Sequence, residues 1–405
     1  MVVTVNTSAG QHVVVHATSN TALRAQIYRT HESFTNPSAE TTPFKTFSVL
    51  NTTDVDIGDH SGETLAVILT NQQFSEGATA NTLTLKLEII SSPPPTSGTW
   101  QDVSTGIGQN IIFSFAIDPK QTSTIYAGVQ SIGVYKTTDS GKTWTLASNG
   151  LPSLATPLAT VIDPASTVYV GLLGGGVFKS TDQGQNWQSV STGLGSTTVS
   201  DLAIDPSNSS ILFAATSSGV FKTVNGGSAW SSSLSGQNAH TIIIDPKSPS
   251  TVFAGTTTAG MFKTTNGGTN WASASNGLAS AGAIEKLAID PQTTATLYAG
   301  TQNGVFKTTD GGLNWSAMNT GLQTTFGLDV ESLAIDPKNP NVLYLGYKSA
   351  QFGLAKTTNG GSNWFELTFP NNAGDVAAVA VDPVNTLTVY AGLIGTVLRS
   401  TTGGQ

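Results

Sequence analysis

Of the 405 residues only 10% are charged while glycine numbers 43, a balance that suits a loop-rich β protein of two domains or one large repetitive domain and argues against a helical bundle. With no cysteine, disulfides and thiolate metal sites are excluded. A formal charge of −8 opposes the basic footprint that phosphate backbones demand, so nucleic acid is not an expected partner.

The chain opens MVVTVNTSAG, with neither a basic start nor an apolar stretch of signal length, and no apolar run approaches the ~20 residues of a membrane-spanning helix. A soluble chain without transmembrane segment or signal peptide is expected. Residues 1–92 contain VVTVN, HVVVHATS, LRAQIYRT, FKTFSVL, TDVDIG, ETLAVILTN and LTLKLEII, separated by Ser, Thr, Asn and Gly. These read as about seven short strands, which suits a small β-sandwich. His12, His16, His31 and His60 fall here with Asp54, Asp56, Asp59 and Glu63. His12 and His16 share one face of a strand, but DVDIGD breaks the order of a calcium loop, and a solvated sheet face accounts for these residues more simply. No metal and no cofactor is expected. VVTVN is a candidate edge strand through which the N-terminal domain would self-associate into a surface polymer. SSPPPTSG then supplies a stiff proline-rich linker over 93–98.

From residue 99 to 405 the chain repeats. IDP or VDP ends at Pro119, Pro164, Pro206, Pro246, Pro291, Pro337 and Pro383, a spacing of about 40 to 46 residues that lies in the range of propeller blades. Each copy is followed by a strand such as IYAG or LYLG, a second such as GVFKTT, a glycine turn, and a tryptophan opening another strand. The seventh copy ends as VLRSTTGGQ before its tryptophan, and GTW at 98–100 supplies the missing piece. Joining the first strand to the last sheet pairs both open edges, so the expected architecture is an all-β, seven-bladed β-propeller closed by its N-terminal strand.

The turns TTDSGKTW (137–144) and STDQGQNW (180–187) resemble the Asp-box, SxDxGxTW, of BNR-repeat propellers. Asp310 repeats the acid, Asn225, Asn266 and Asn359 substitute its amide, and Thr402 departs from both. Physically the box is a turn device: a short Asp or Asn accepts nearby backbone N–H groups, Gly takes positive φ, and Trp packs between sheets. The acids of the boxes and of the IDP turns therefore read as structural, since chemistry needs one site and not seven copies. The resemblance implies that the loops between blades, and those between the two middle strands, share the face that carries binding.

Five positions before each IDP or VDP aspartate stand Phe113, Leu158, Ser200, His240, Glu285, Glu331 and Ala377. Three consecutive blades would thus set His240, Glu285 and Glu331 as an arc beside the central channel. Blade 6 has the longest loops of its kind, bringing Phe326, Asp329, Tyr347, Lys348 and Phe352 toward the same region, and long loops on a rigid frame favour recognition. Within the resembled family, sialidases hold their substrate with three arginines, whereas Arg399 is the sole arginine after residue 99. Xyloglucanase-type hydrolases, with similar repeats, work in a cleft between two propellers. Photosystem II assembly factors and sortilin-like receptors bind proteins. The expectation is a secreted or cell-surface bacterial protein that binds a glycan or protein ligand without catalysis; were it a hydrolase, Glu285 and Glu331 would be the catalytic pair.

Overall fold

The computed structural model describes residues 2–6, 11–30, 45–59, 64–71, 83–91, 100–322, 328–348, 353–368 and 374–404. The chain divides into two units, Met1–Thr96 and Ser97–Gly404, the last residue apart.

Five strands are described in the first unit: Val2–Asn6, Gln11–Thr30, Lys45–Asp59, Thr64–Asn71 and Leu83–Ser91. They form one antiparallel sheet around Gln11–Thr30, which pairs with three of the others. Its first half pairs with Leu83–Ser91 and its second with Thr64–Asn71, while Lys45–Asp59 runs beside both with a register shift between Ser19 and Leu23. The turn-type residues at 19–21 thus sit in an irregularity of one long strand rather than between two short ones, as the sequence suggests, because a bulge accommodates residues that a regular ladder does not. His12 and His16 have Asp59 and Asp54 as Cα partners across the sheet. His31, His60, Glu63 and the proline linker lie outside the described residues.

The second unit is a seven-bladed β-propeller. Seven four-stranded antiparallel sheets follow one another, and their first strands are Ile112–Ile117, Pro157–Ile162, Val199–Ile204, Ala239–Ile244, Ile284–Ile289, Val330–Ile335 and Ala378–Val381. Each of these lies against the first strands of its two neighbours, and that of blade 7 meets that of blade 1, which closes the ring around a central channel. The fourth strand of blade 7 is Trp100–Asp102, paired antiparallel with Val397–Ser400 through Trp100 opposite Ser400, Gln101 opposite Arg399 and Asp102 opposite Leu398.

Blades pack face to face, so their second strands are buried on both sides. Ile125–Val129, Val168–Leu172, Leu212–Thr216, Val252–Thr256, Leu297–Thr301 and Leu343–Tyr347 are buried at every position. Continuous apolar runs such as VYVGL, with no polar alternation, have this physical cause.

The box turns behave as devices of the chain itself. Asp182 accepts the Asn186 backbone N–H at 2.9 Å on one oxygen and the Asn186 side-chain amide at 2.8 Å on the other, and Ser180 donates to it at 2.8 Å. Gly184, with φ of 83°, donates its N–H to Ser180 Oγ at 2.8 Å. The Trp187 indole N–H then donates to the Ala147 carbonyl of the preceding blade at 2.7 Å, and Trp144, Trp230, Trp315 and Trp364 repeat the bond to Val103, Val190, Ala274 and Met318. Carboxylates of the IDP turns are equally spent: Asp118, Asp163, Asp205, Asp245, Asp336 and Asp382 are buried, and each accepts backbone N–H groups two to four residues on.

Candidate functional site

The inner strands share one irregularity that builds the site. In blades 1 to 6 the antiparallel register shifts at the second residue, between Ile112/Ser114, Pro157/Ala159, Val199/Asp201, Ala239/Thr241, Ile284/Lys286 and Val330/Ser332. The residues skipped are Phe113, Leu158, Ser200, His240, Glu285 and Glu331. A β-bulge leaves one residue unpaired and re-aims its side chain. Together with Ala377 these six line a single cavity of about 260 Å³ at the mouth of the channel, joined by Lys286, Gln302, Asp329, Val330 and Lys348. All seven positions read from the spacing before the IDP turns are therefore neighbours.

The mouth has two halves. Blades 7, 1 and 2 contribute Ala377, Phe113 and Leu158; blades 4, 5 and 6 contribute the imidazole and the carboxylates. His240 Nε2 lies 2.8 Å from Glu285 Oε2. Lys348 Nζ lies 2.6 Å from Asp329 Oδ2 and 3.5 Å from Glu331 Oε1, and its backbone N–H donates to the Asp329 carbonyl at 2.9 Å. The lysine that opens the loop after the second strand is thus pinned to the segment that precedes the first.

The two glutamates are pushed in opposite directions. Burial works to raise the Glu285 pKa, but the hydrogen bond from His240 and the charges of His240, Lys348 and Lys286 outweigh it and hold the carboxyl below its usual range. For Glu331 burial prevails over Lys348, with Asp375 and Asp329 adding repulsion, and the carboxyl is raised. Lys348 is raised chiefly by its hydrogen bond to Asp329.

Deeper in the channel the wall is closed by its own polar groups. Ser114 and Thr160 hydroxyls pair at 2.9 Å, and Asp201 Oδ2 accepts Thr241 Oγ1 at 2.9 Å and the Ile242 N–H at 3.1 Å. Lys286 lines both the mouth and this deeper space, where Asp201 also stands. The repeat spacing singles out the residue before Lys286 and not the lysine; its signal is a cationic residue inside IEKLAI, where the other inner strands carry Ser, Ala, Thr or Asp.

Of the other predicted site residues, Asp329 and Lys348 reach the mouth. Tyr347 does not: its ring is 1% exposed in the blade 6 core, and its hydroxyl donates to the Glu366 carboxylate on the outermost strand. The reason lies in the second strand, buried on both faces, which has no exposed side to offer. Phe326 and Phe352 lie outside the described residues. Among the described residues no group of three or more His, Asp or Glu is placed to hold a metal ion, and no helix is long and apolar enough to cross a membrane.

No family model matches the chain, and no curated protein matches it. Solved structures do. The GH74 xyloglucanase from Xanthomonas campestris is 15% identical, covering 75% of this chain and 53% of that one, with a TM-score of 0.62. A GH74 enzyme from Niastella koreensis is 19% identical over 74% of this chain and 53% of its own, with a TM-score of 0.59. YCF48 bound to D1 peptide is 15% identical over 75% of this chain and 97% of that one, also at 0.59. The chain spans about half the length of the GH74 structures it matches. At these identities the likeness shows the seven-bladed propeller fold alone.

Proposed function

We propose that this protein is a non-enzymatic recognition or adhesion module of the BNR/Asp-box type, acting outside a bacterial cell and binding a glycan or a protein across the mouth face of its propeller. The observation that carries this reading is the bulge repeated in six inner strands, which converges one side chain per blade on a single small cavity. The polar groups gathered there are mostly engaged with one another, His240 with Glu285 and Lys348 with Asp329, an arrangement suited to fixing a surface of set charge rather than to moving protons. A peptide-bound YCF48 and polysaccharide-cleaving GH74 enzymes on the same fold support both ligand classes.

A second reading, a xyloglucanase-like glycoside hydrolase, is favoured by one observation. Two carboxyls in one cavity with proton affinities driven apart are the pattern of a general acid, Glu331, beside a base or nucleophile, Glu285.

Binding of the full chain to a glycan array and to a displayed peptide library, each repeated with E285Q/E331Q and with xyloglucan turnover followed in parallel, separates the readings. Recognition predicts ligands lost or weakened at least tenfold in the variant with no turnover by either protein. Xyloglucan cleavage abolished by the double substitution would replace the proposal with the hydrolase; ligands indifferent to the substitutions would place recognition elsewhere.

A further inference from the structure

The proposed reading leaves the ligand class open, and the distribution of side chains over the mouth face narrows it. Glu285, Asp329 and Glu331 stand against two ammonium groups, Lys286 and Lys348, and Lys348 is committed at 2.6 Å to Asp329. Glu331, with Lys348 at 3.5 Å, is the carboxylate left with least compensation. Across the ring from it stands Leu158 of blade 2, and Phe113 of blade 1 and Ala377 of blade 7 carry the apolar wall round to the blade beside Glu331. A cavity of about 260 Å³ with hydrocarbon on one side and carboxylates on the other matches one long side chain with an apolar stem and a cationic head, the shape of lysine or arginine.

The surface around that cavity continues the division. Three large apolar side chains are exposed in loops of this face: Leu154 at 76% between blades 1 and 2, Leu173 at 58% within blade 2, and Ile394 at 63% within blade 7. All three adjoin the apolar half of the mouth in the blade order. Leu154 is held out in a turn closed by the Ala155 N–H to the Pro152 carbonyl at 3.2 Å, with a φ of 59°. Single exposed apolar side chains need no explanation, but these three fall in the loops of the arc from blade 7 to blade 2 that carries the apolar wall.

We infer that the mouth face binds an extended polypeptide presenting a lysine or arginine, whose side chain enters the cavity toward Glu331 and Glu285, flanked by apolar side chains that cover Leu154, Leu173 and Ile394. This rests on the proposed recognition role and selects polypeptide over glycan within it. Charge complementarity sets the sign of the partner's central residue, and the exposed apolar side chains of these loops give its neighbours something to bury.

The test is selection of a random twelve-residue peptide library displayed on phage against the full chain, run in parallel on E285Q/E331Q and on L154S/L173S. Selected peptides are then synthesised and measured by fluorescence anisotropy at low and high salt. The inference predicts enrichment of Lys or Arg beside Leu, Ile, Val or Phe, at least tenfold weaker binding to E285Q/E331Q, and weaker binding to L154S/L173S with the basic preference kept. Leu154 and Leu173 are exposed, so their replacement leaves a folded control even if the half-buried carboxylates prove necessary for folding. Acidic or uncharged peptides enriched on the native chain and lost on the variants would keep the mouth as recognition face and overturn the basic-peptide inference. Peptides held equally by all three proteins would overturn the inference and place recognition elsewhere on the molecule; no enrichment at all would overturn the inference and leave the recognition reading to the glycan array.

Discussion

At the residue scale, the acids that dominate the motifs do conformational work, and this has a pH signature. Asp139, Asp182 and Asp310 each have a pKa lowered to about 2, first by the side-chain hydrogen bond from Thr143, Asn186 or Asn314 and then by the same residue's backbone N–H. A folded pKa below the ordinary aspartate value of about 3.9 means that the ionised form is favoured by folding. The contribution is therefore present above about pH 4 and is lost as pH falls through about 2. Asn225, Asn266 and Asn359 make the same backbone bond without a titrating proton, as when Asn225 Oδ1 accepts the Ala229 N–H at 2.9 Å. Replacing all three aspartates by asparagine is expected to make the melting temperature fall less between pH 6 and pH 2.5 than it does for the native chain; an equal or steeper fall would contradict the assignment. Tyr347, expected on the binding face, is instead a core residue of blade 6. Tyr347 occupies the position held by Val129, Leu172, Thr216, Thr256 and Thr301 in other blades, all buried, and that register was available as a warning.

Between elements, blades are stitched by one cation each. In blades 1 to 6 the lysine of the GVxK strand reaches the glycine turn of the next blade: Lys222 donates to the Gly267 carbonyl at 2.7 Å, Lys263 to Gly311 at 2.8 Å, Lys307 to Gly360 at 2.8 Å and Lys356 to Gly403 at 2.7 Å. Lys136 and Lys179 do the same to Gln183 and Gly226. On the way each ammonium lies 5.1 to 5.7 Å from the centre of a Tyr or Phe ring of its own blade. Arg399 takes the role in blade 7 and donates to the Ser140 carbonyl of blade 1 at 3.0 Å. Burial lowers the Lys356 pKa, so this ammonium pays some desolvation for its contacts. Lys356→Met keeps the apolar stem and removes the charge-assisted bond, and should cost about 1.5–3 kcal/mol in urea unfolding. No measurable change would mean that the stitch adds nothing beyond packing. The repeated lysine was visible in every copy of the sequence, but its partner was not, because the acceptor is a main-chain carbonyl about 45 residues away in the next sheet. The bulges were hidden for a similar reason: spacing identified which residue of each inner strand stands out, and only the register showed that all of them leave the ladder at the same point.

Over the whole molecule, closure turns seven separate loops into one mouth. The ring was legible because a 40–46-residue repeat lacked its last strand at one end and had it to spare at the other. The division of the mouth into apolar and charged halves was only partly so, since it depends on which blades become neighbours. The seam is short, three Cα pairs, extended by the Val103 N–H to the Val397 carbonyl at 2.8 Å and by the Val397 N–H to Ser104 Oγ at 2.8 Å. It also differs from the other six blade junctions. The Trp100 indole N–H is buried without a hydrogen-bond partner among the described residues, whereas the indoles of the other six blades all have one. The chain contains no cysteine, so a pair introduced at Gln101 and Arg399, opposite one another across the seam, reports on closure without interference. Opposed residues of an antiparallel pair stand about 4.5–5.5 Å apart at Cα, within disulfide reach. Mass spectrometry of Q101C/R399C under mild oxidation should show a monomer that has lost two hydrogens and carries no reactive thiol; two free thiols, or a disulfide formed only between chains, would contradict a ring shut by its own first strand.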